Sequence, residues 1–155
     1  MSLPHTLTGL TPREAILDSL YRAAQAWDTN DLPLHDSAFI HSPSSSFCLV
    51  GLETYPGIDG IRSVFHRITK MDTTHNISCP RVQIHENGKT AQMTATVLAQ
   101  HYRAGEGFLP ETKFFMSGAV YDVDVEVDEK DGVWKIRNIR VNVKWTEGDP
   151  AVVGR

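Results

Sequence analysis

Residues 89–102 read KTAQMTATVLAQHY, and this stretch decides the fold. Thr90, Gln92, Thr94 and Gln100 share one parity, while Ala91, Met93, Ala95, Val97, Ala99 and His101 share the other. A period of two sustained this long describes a half-buried strand, with one face on a core and the other in water. The buried parity is rich in alanine, and small residues on an inward face leave room for a ligand. Downstream, residues 114–128 and 133–145 repeat the strand pattern around a turn at 129–132. Upstream, residues 77–85 form a strand interrupted near Pro80, joined through Asn87-Gly88, a pair favoured in tight hairpins. The segment 103–113, with Gly105, Gly107 and Pro110, reads as a loop suited to cover a cavity mouth. The tail from Thr146 reads as irregular chain that folds across an opening.

The first half of the chain has a different period. Thr11-Pro12-Arg13-Glu14 is a helix start, with a capping threonine, a proline at the first position and a glutamate placed for a capping box. Leu17, Leu20, Tyr21, Ala24 and Trp27 then recur at helical spacing. Residues 32–40 form a shorter helix stopped by Ser42-Pro43, 46–51 a short strand, and 57–71 a third helix with Ile58, Ile61, Val64, Phe65 and Ile68 on its inner face. Helices first and long antiparallel strands after them is the α+β order. A strongly curved antiparallel sheet, with the three helices of the N-terminal half on its concave side, would form a cone with one pocket. The absence of repeats and linkers points to one domain over residues 1–155, with a core at about 10–148.

Composition narrows the function. The chain has 155 residues, 41% of them apolar, and a formal charge of -4. A nucleic-acid binder needs a basic stripe, and an anionic membrane surface also favours excess cations, so neither partner is expected. No apolar run reaches the roughly 20 residues that span a bilayer. Residues 1–10 lack a signal peptide's basic start and apolar stretch, which leads to a cytoplasmic expectation. The two cysteines, Cys48 and Cys79, form neither a CxxC pair nor a metal cluster and read as buried free thiols.

Three residues stand out for proton chemistry. Asp28 falls on the apolar side of the first helix at its C-terminal end, where the helix dipole disfavours an anion. It either meets a partner there or caps the following turn with Thr29 and Asn30. His75 lies between the third helix and the next strand, and either projects into a cavity or sits on the surface. A histidine suits acid–base work, and an aspartate on one ring nitrogen fixes its tautomer and frees the other. His101 has inward parity, as a ligand contact or as a core histidine. His66 and His85 read as solvated, and nothing in the pattern singles out His5, His35 or His41. Asp122, Asp124, Glu126 and Asp128 alternate along one strand and read as its wet face. A metal site from Asp122, Asp124 and His101 has no supporting ligand spacing, so no metal is expected. Arg140 and Asn142 share parity with Trp134 and Ile136 and would face the cavity unless a bulge intervenes. No phosphate-binding loop, nucleophile elbow, HExxH or dinucleotide fingerprint occurs.

With these positions marked, the chain resembles the SnoaL-like branch of the NTF2-like superfamily, and within it scytalone dehydratase and hexachlorocyclohexane dehydrochlorinase. The resemblance rests on Trp27-Asp28-Thr29-Asn30-Asp31-Leu32, Thr73-Thr74-His75, His101-Tyr102, Asp131-Gly132-Val133-Trp134-Lys135, and Val143-Lys144-Trp145-Thr146-Glu147. It implies that His75 is a general base, Asp28 its orienting partner, and His101 a substrate contact or proton relay. It also implies a cofactor-free lyase or isomerase (a dehydratase or cyclase type) acting on an apolar, oxygenated small molecule such as a polyketide or terpenoid intermediate. Trp27, Tyr55, Arg140 and Trp145 would help position that molecule. The resemblance implies a homo-oligomer, a dimer or trimer, and it also covers non-catalytic ligand-binding or dimerisation modules. Trp27 stands where scytalone dehydratase has a tyrosine, and the first strand carries none, which points away from scytalone itself.

Overall fold

The structure, a computed structural model, describes residues 4–155; residues 1–3 of the N-terminal stretch lie outside it. Helix α1 spans Pro12–Thr29, and the capping box forms: Glu14 N–H donates to Thr11 Oγ1 at 3.3 Å and Thr11 N–H to Glu14 Oε2 at 2.7 Å. Asn30 ends the helix at φ 54°, a left-handed conformation that asparagine tolerates. Helix α2, Leu32–Ala38, starts on Asp31, whose carboxylate accepts from Leu34 N–H at 2.9 Å. It ends short of residue 40 because Phe39 and Ile40 turn extended to meet the sheet, with Ile40 N–H on Ile136 O at 2.8 Å. Helix α3 spans Gly57–Ile68.

Six strands form one sheet among the described residues: β1 Ser46–Leu49, β2 Glu53–Pro56, β3 Met71–Ile84, β4 Thr90–Arg103, β5 Phe114–Val127 and β6 Trp134–Gly148. Their order is β2-β1-β6-β5-β4-β3. The sheet is curved and mixed. Every pairing is antiparallel except β1 with β6, which run parallel. These two strands are far apart in sequence and no tight turn fixes their relative direction. Strand β2 has no alternation to mark it in the sequence; it forms because it hairpins back on β1. Strand β3 begins at Met71, well before residue 77, because Asp72–Asn76 pair with Leu98–Tyr102. Its register shifts between Ser78 and Arg81, around Pro80, where Cys79 has φ 50°. That bulge leaves Cys79 exposed, and Cys48 is half-buried, so neither is the buried thiol expected.

The core lies between the helices and the sheet's concave face. Ile16, Leu20, Ala23 and Trp27 of α1 pack toward the alanine face of β4 and toward Val123, Val125, Ile136 and Ile139. Tyr21 is 41% exposed, so the buried stripe of α1 sits one position round from the one its spacing suggests. Beyond the sheet, Gly148 leads into a 3-10 turn, Pro150–Val153, whose Val152 is buried. No helix among the described residues is long and apolar enough to cross a membrane.

Two buried polar side chains fasten the helices. Arg22 donates to Asp18 Oδ2 at 2.8 Å, to Trp134 O at 2.7 Å and to Ser37 O. It thereby joins α1, α2 and β6. We expect Arg22→Leu to destabilise the protein by about 3 kcal/mol, because it strands two carbonyls and a carboxylate; urea denaturation reads this directly. His35 is fully buried between Phe39 and Phe65, although nothing in the sequence singled it out. Burial lowers its pKa to about 4, against the opposing pull of Asp36. The unfolded chain, in which a histidine titrates near pH 6.5, therefore binds the proton more readily. Stability from neutral His35 is complete above about pH 6.5 and is lost as pH falls toward 4. Substituting leucine should remove about 2 kcal/mol of the stability difference between pH 7.5 and pH 5. Urea midpoints at the two pH values, compared with wild type, check it.

Candidate active site

A cavity of about 230 Å³ opens between α3, the β1–β2 hairpin and the concave sheet. Its walls are mostly apolar: Phe47, Leu49, Val64, Ile68, Phe115, Val141 and Val143 are among them. The polar groups that reach it include His75, His101, Ser117, Tyr121 and Thr146, with Arg67 and Tyr55 on the hairpin side.

Asp28 and His75 are brought together. His75 lies within β3 rather than at a junction, on the inward parity opposite Ala99. The Asp28 carboxylate receives both of its donors: the backbone N–H gives 2.8 Å to Oδ2 and ring Nδ1 gives 2.7 Å to Oδ1. Nδ1 therefore carries a proton and Nε2 presents its lone pair on the cavity side. The His75 side chain is 3% exposed and that of Asp28 20%. Strand β3 is an edge strand and α1 has no basic residue in its last turn. The two donors on Asp28 thus offset the unfavourable position of an anion at a helix C-terminus.

Two aromatic rings pack against the imidazole. The Trp27 ring centroid lies 5.1 Å from that of His75, and the His101 ring meets it edge to face at 5.6 Å. Trp27 is 2% exposed and does not line the cavity; it backs His75 rather than touching a ligand. His101 does line it, at 8% exposure. Burial first, and then the neighbouring His75, lower the His101 pKa to about 4, so its ring is neutral across the neutral range. Its Nδ1 is buried without a hydrogen-bond partner.

Tyr55 lines the cavity, with its hydroxyl committed elsewhere. Arg67 Nη2 donates to it at 2.5 Å, and the hydroxyl donates to Glu53. Arg140 and Trp145 do not reach the cavity, and the cause is local. The β5–β6 register skips Arg137 and skips Lys144, and each bulge inverts the parity that follows. Ile139, Val141 and Val143 consequently face inward. Arg140 points to the outer face, with bidentate contacts to Asp124 at 2.8 and 2.9 Å and one to Asp122 at 3.1 Å. Those carboxylates are held by Arg140, and no group that could bind a metal ion occurs among the described residues. Trp145 is 45% exposed and lies over Gly118, where any Cβ would sit 2.3 Å from its Cε2. Sequence reasoning passed over Tyr121 and Ser117, although strand parity with Ala119 and Val123 marks both as inward.

Comparisons with known proteins agree with this architecture. The chain is 39% identical over 156 residues to terrestric acid biosynthesis cluster protein E of Penicillium crustosum, covering 99% of this chain and 97% of that protein. A scytalone dehydratase-like protein from Novosphingobium aromaticivorans superposes with a TM-score of 0.75 at 17% identity, over 88% of this chain and 87% of that one. The hexachlorocyclohexane dehydrochlorinase LinA-type3 from Novosphingobium barchaimii gives a TM-score of 0.71 at 18% identity, over 88% and 89%. The two structural likenesses carry the fold. The SnoaL-like domain matches residues 8–140, and the chain belongs to the SnoaL-like family.

Proposed function

We propose that the protein is a cofactor-independent lyase or isomerase of the dehydratase or cyclase type, with His75 as general base and Asp28 as the residue that orients it. The observation that carries this reading is the pair of bonds from His75 to one carboxylate, which fixes the tautomer and leaves Nε2 facing an apolar cavity. Removal of a proton from carbon creates a cation on the imidazole, and the adjacent carboxylate stabilises it. The apolar walls fit an oxygenated small molecule such as a polyketide or terpenoid intermediate. The likeness to a protein named for a terrestric acid biosynthesis cluster supports a role in making such a compound. His101 contacts the substrate or relays a proton, and Tyr55 forms part of the wall. The whole chain acts as one domain, working as a homo-oligomer; Leu98 and Trp145, exposed on the outer sheet face, support association there.

Replacing His75 with alanine should reduce turnover by about 10²–10⁴-fold, the usual contribution of a positioned acid–base group. Asp28→Asn should do nearly as much, while ligand binding and the folded state persist in both. Assays with extracts or candidate intermediates, paired with ligand titration, measure the two properties separately. Full turnover by His75→Ala would refute the base assignment, whereas ligand binding without turnover by the wild type would leave a ligand-binding module.

A further inference from the structure

The cavity wall is charged against the trend of the chain. The protein carries a formal charge of -4, yet among the described residues no aspartate or glutamate lines the cavity, whereas Arg67 and Arg155 do. Asp28 stands behind His75 and gives both carboxylate oxygens to that residue. The guanidinium groups, protonated at any working pH, are therefore the fixed charges on the wall.

Both arginines are exposed, and each is placed by a built element. Arg67 lies in the last turn of α3. Its Nη2 donates to the Tyr55 hydroxyl at 2.5 Å, and its guanidinium carbon stands 5.0 Å from the centre of the Tyr55 ring. That hydroxyl gives its own proton to Glu53, so Arg67 meets a neutral oxygen rather than a carboxylate. Arg155 follows the 3-10 turn Pro150–Val153, which rests against β4 and β5. Buried Val152 and the cap from Asp149 to Ala151 N–H at 2.9 Å pin the turn, and Val153 and Arg155 reach the cavity from it. Arg22, Arg62, Arg137 and Arg140 are each paired with a carboxylate. Among the described residues Arg67 and Arg155 form no ion pair, which leaves planar, charged donors free beside an apolar hollow.

We propose that the cavity takes a small molecule with an apolar body and a carboxylate, and that Arg67, assisted by Arg155, binds the carboxylate. The inference rests on the reading of this cavity as the substrate site. A guanidinium offers parallel N–H groups that match the two oxygens of a carboxylate, and these charge-assisted bonds exceed neutral ones in strength. The apolar walls then cover the remainder of the molecule, and Tyr55 holds the Arg67 side chain in place for it. Substrate selection falls to the hairpin side of the cavity and proton transfer to His75.

The test compares 2-naphthylacetate with 2-naphthylacetamide, which has the same body and no charge, by calorimetric titration at about pH 7.5, where the acid is ionised. A bicyclic body of this size suits a cavity of about 230 Å³. Wild-type protein should bind the acid about tenfold more tightly than the amide, and high salt should erode that preference. Both ligands should shift the imidazole NMR signals of His75 and His101. Arg67→Gln should abolish most of the preference and leave amide affinity unchanged, and Arg155→Gln should reduce it in part. Arg81→Gln, which removes the same charge outside the cavity, should have no effect. An arginine that serves only its helix would lower the melting temperature in Arg67→Gln and leave the preference intact. Equal affinity for acid and amide, no binding of the acid, binding that leaves both imidazoles unshifted, or a preference that survives Arg67→Gln combined with Arg155→Gln each overturn the proposal. His75→Ala should retain the preference for the acid, so failure of the base assignment in turnover assays is read separately from failure of the carboxylate site.

Discussion

One carboxylate fixes both the architecture and the chemistry of this cavity. Asp28 closes the end of α1 and accepts two hydrogen bonds from His75, one from the main chain and one from the ring. The main-chain bond ties the helix to an edge strand whose backbone has no further strand beside it. The ring bond selects a tautomer. A single pair of contacts therefore sets how closely the helix layer approaches the sheet and which nitrogen of His75 is basic. Trp27 and His101 then confine the ring by packing, so its orientation does not depend on the carboxylate alone.

The remainder of the cavity follows from how the sheet is irregular. A flat run of strict alternation along β6 would have sent Arg140 and Asn142 inward. The extra residue at Arg137 reverses the parity, gives the cavity Val141 and Val143 and exports Arg140 to the outer face, and the one at Lys144 restores the parity so that Thr146 faces inward. There Arg140 and Asp124 form a bidentate pair in a half-exposed setting, where such a pair adds little to stability and serves mainly to define the outer surface. Bulges also sharpen local twist, which suits a sheet that curls round a cavity. The result is a wall with few polar groups among apolar ones.

Much of this was legible in residue order. The capping box at Thr11, the alternation from Thr90 to His101 and the Asn87-Gly88 hairpin each follow from local chemistry, and each forms as read. Asp28 and His75 could be marked as candidates by their positions on elements. Their meeting across 47 residues of chain could not be read from spacing. Strand β2 was hidden because its identity comes from pairing with β1, and His35 because a histidine lodged between two phenylalanines leaves no periodic trace. Tyr121 carried a usable signal, its parity with Ala119 and Val123, which the neighbouring acids obscured.

The sequence by itself determined the order of helices and strands, the alanine face on the concave side of the sheet, and Asp28 and His75 as the two candidates for proton transfer. These depend on periodicity, capping and turn chemistry, which act over a few residues. Tertiary structure decided which side chains share the cavity: it joined Asp28 to His75, admitted Tyr121, set Trp27 behind the imidazole and turned Arg140 and Trp145 away. Those outcomes depend on strand register. A shift of one residue moves every later side chain to the opposite face, and the sum of contacts across the sheet, rather than any local preference, selects that register.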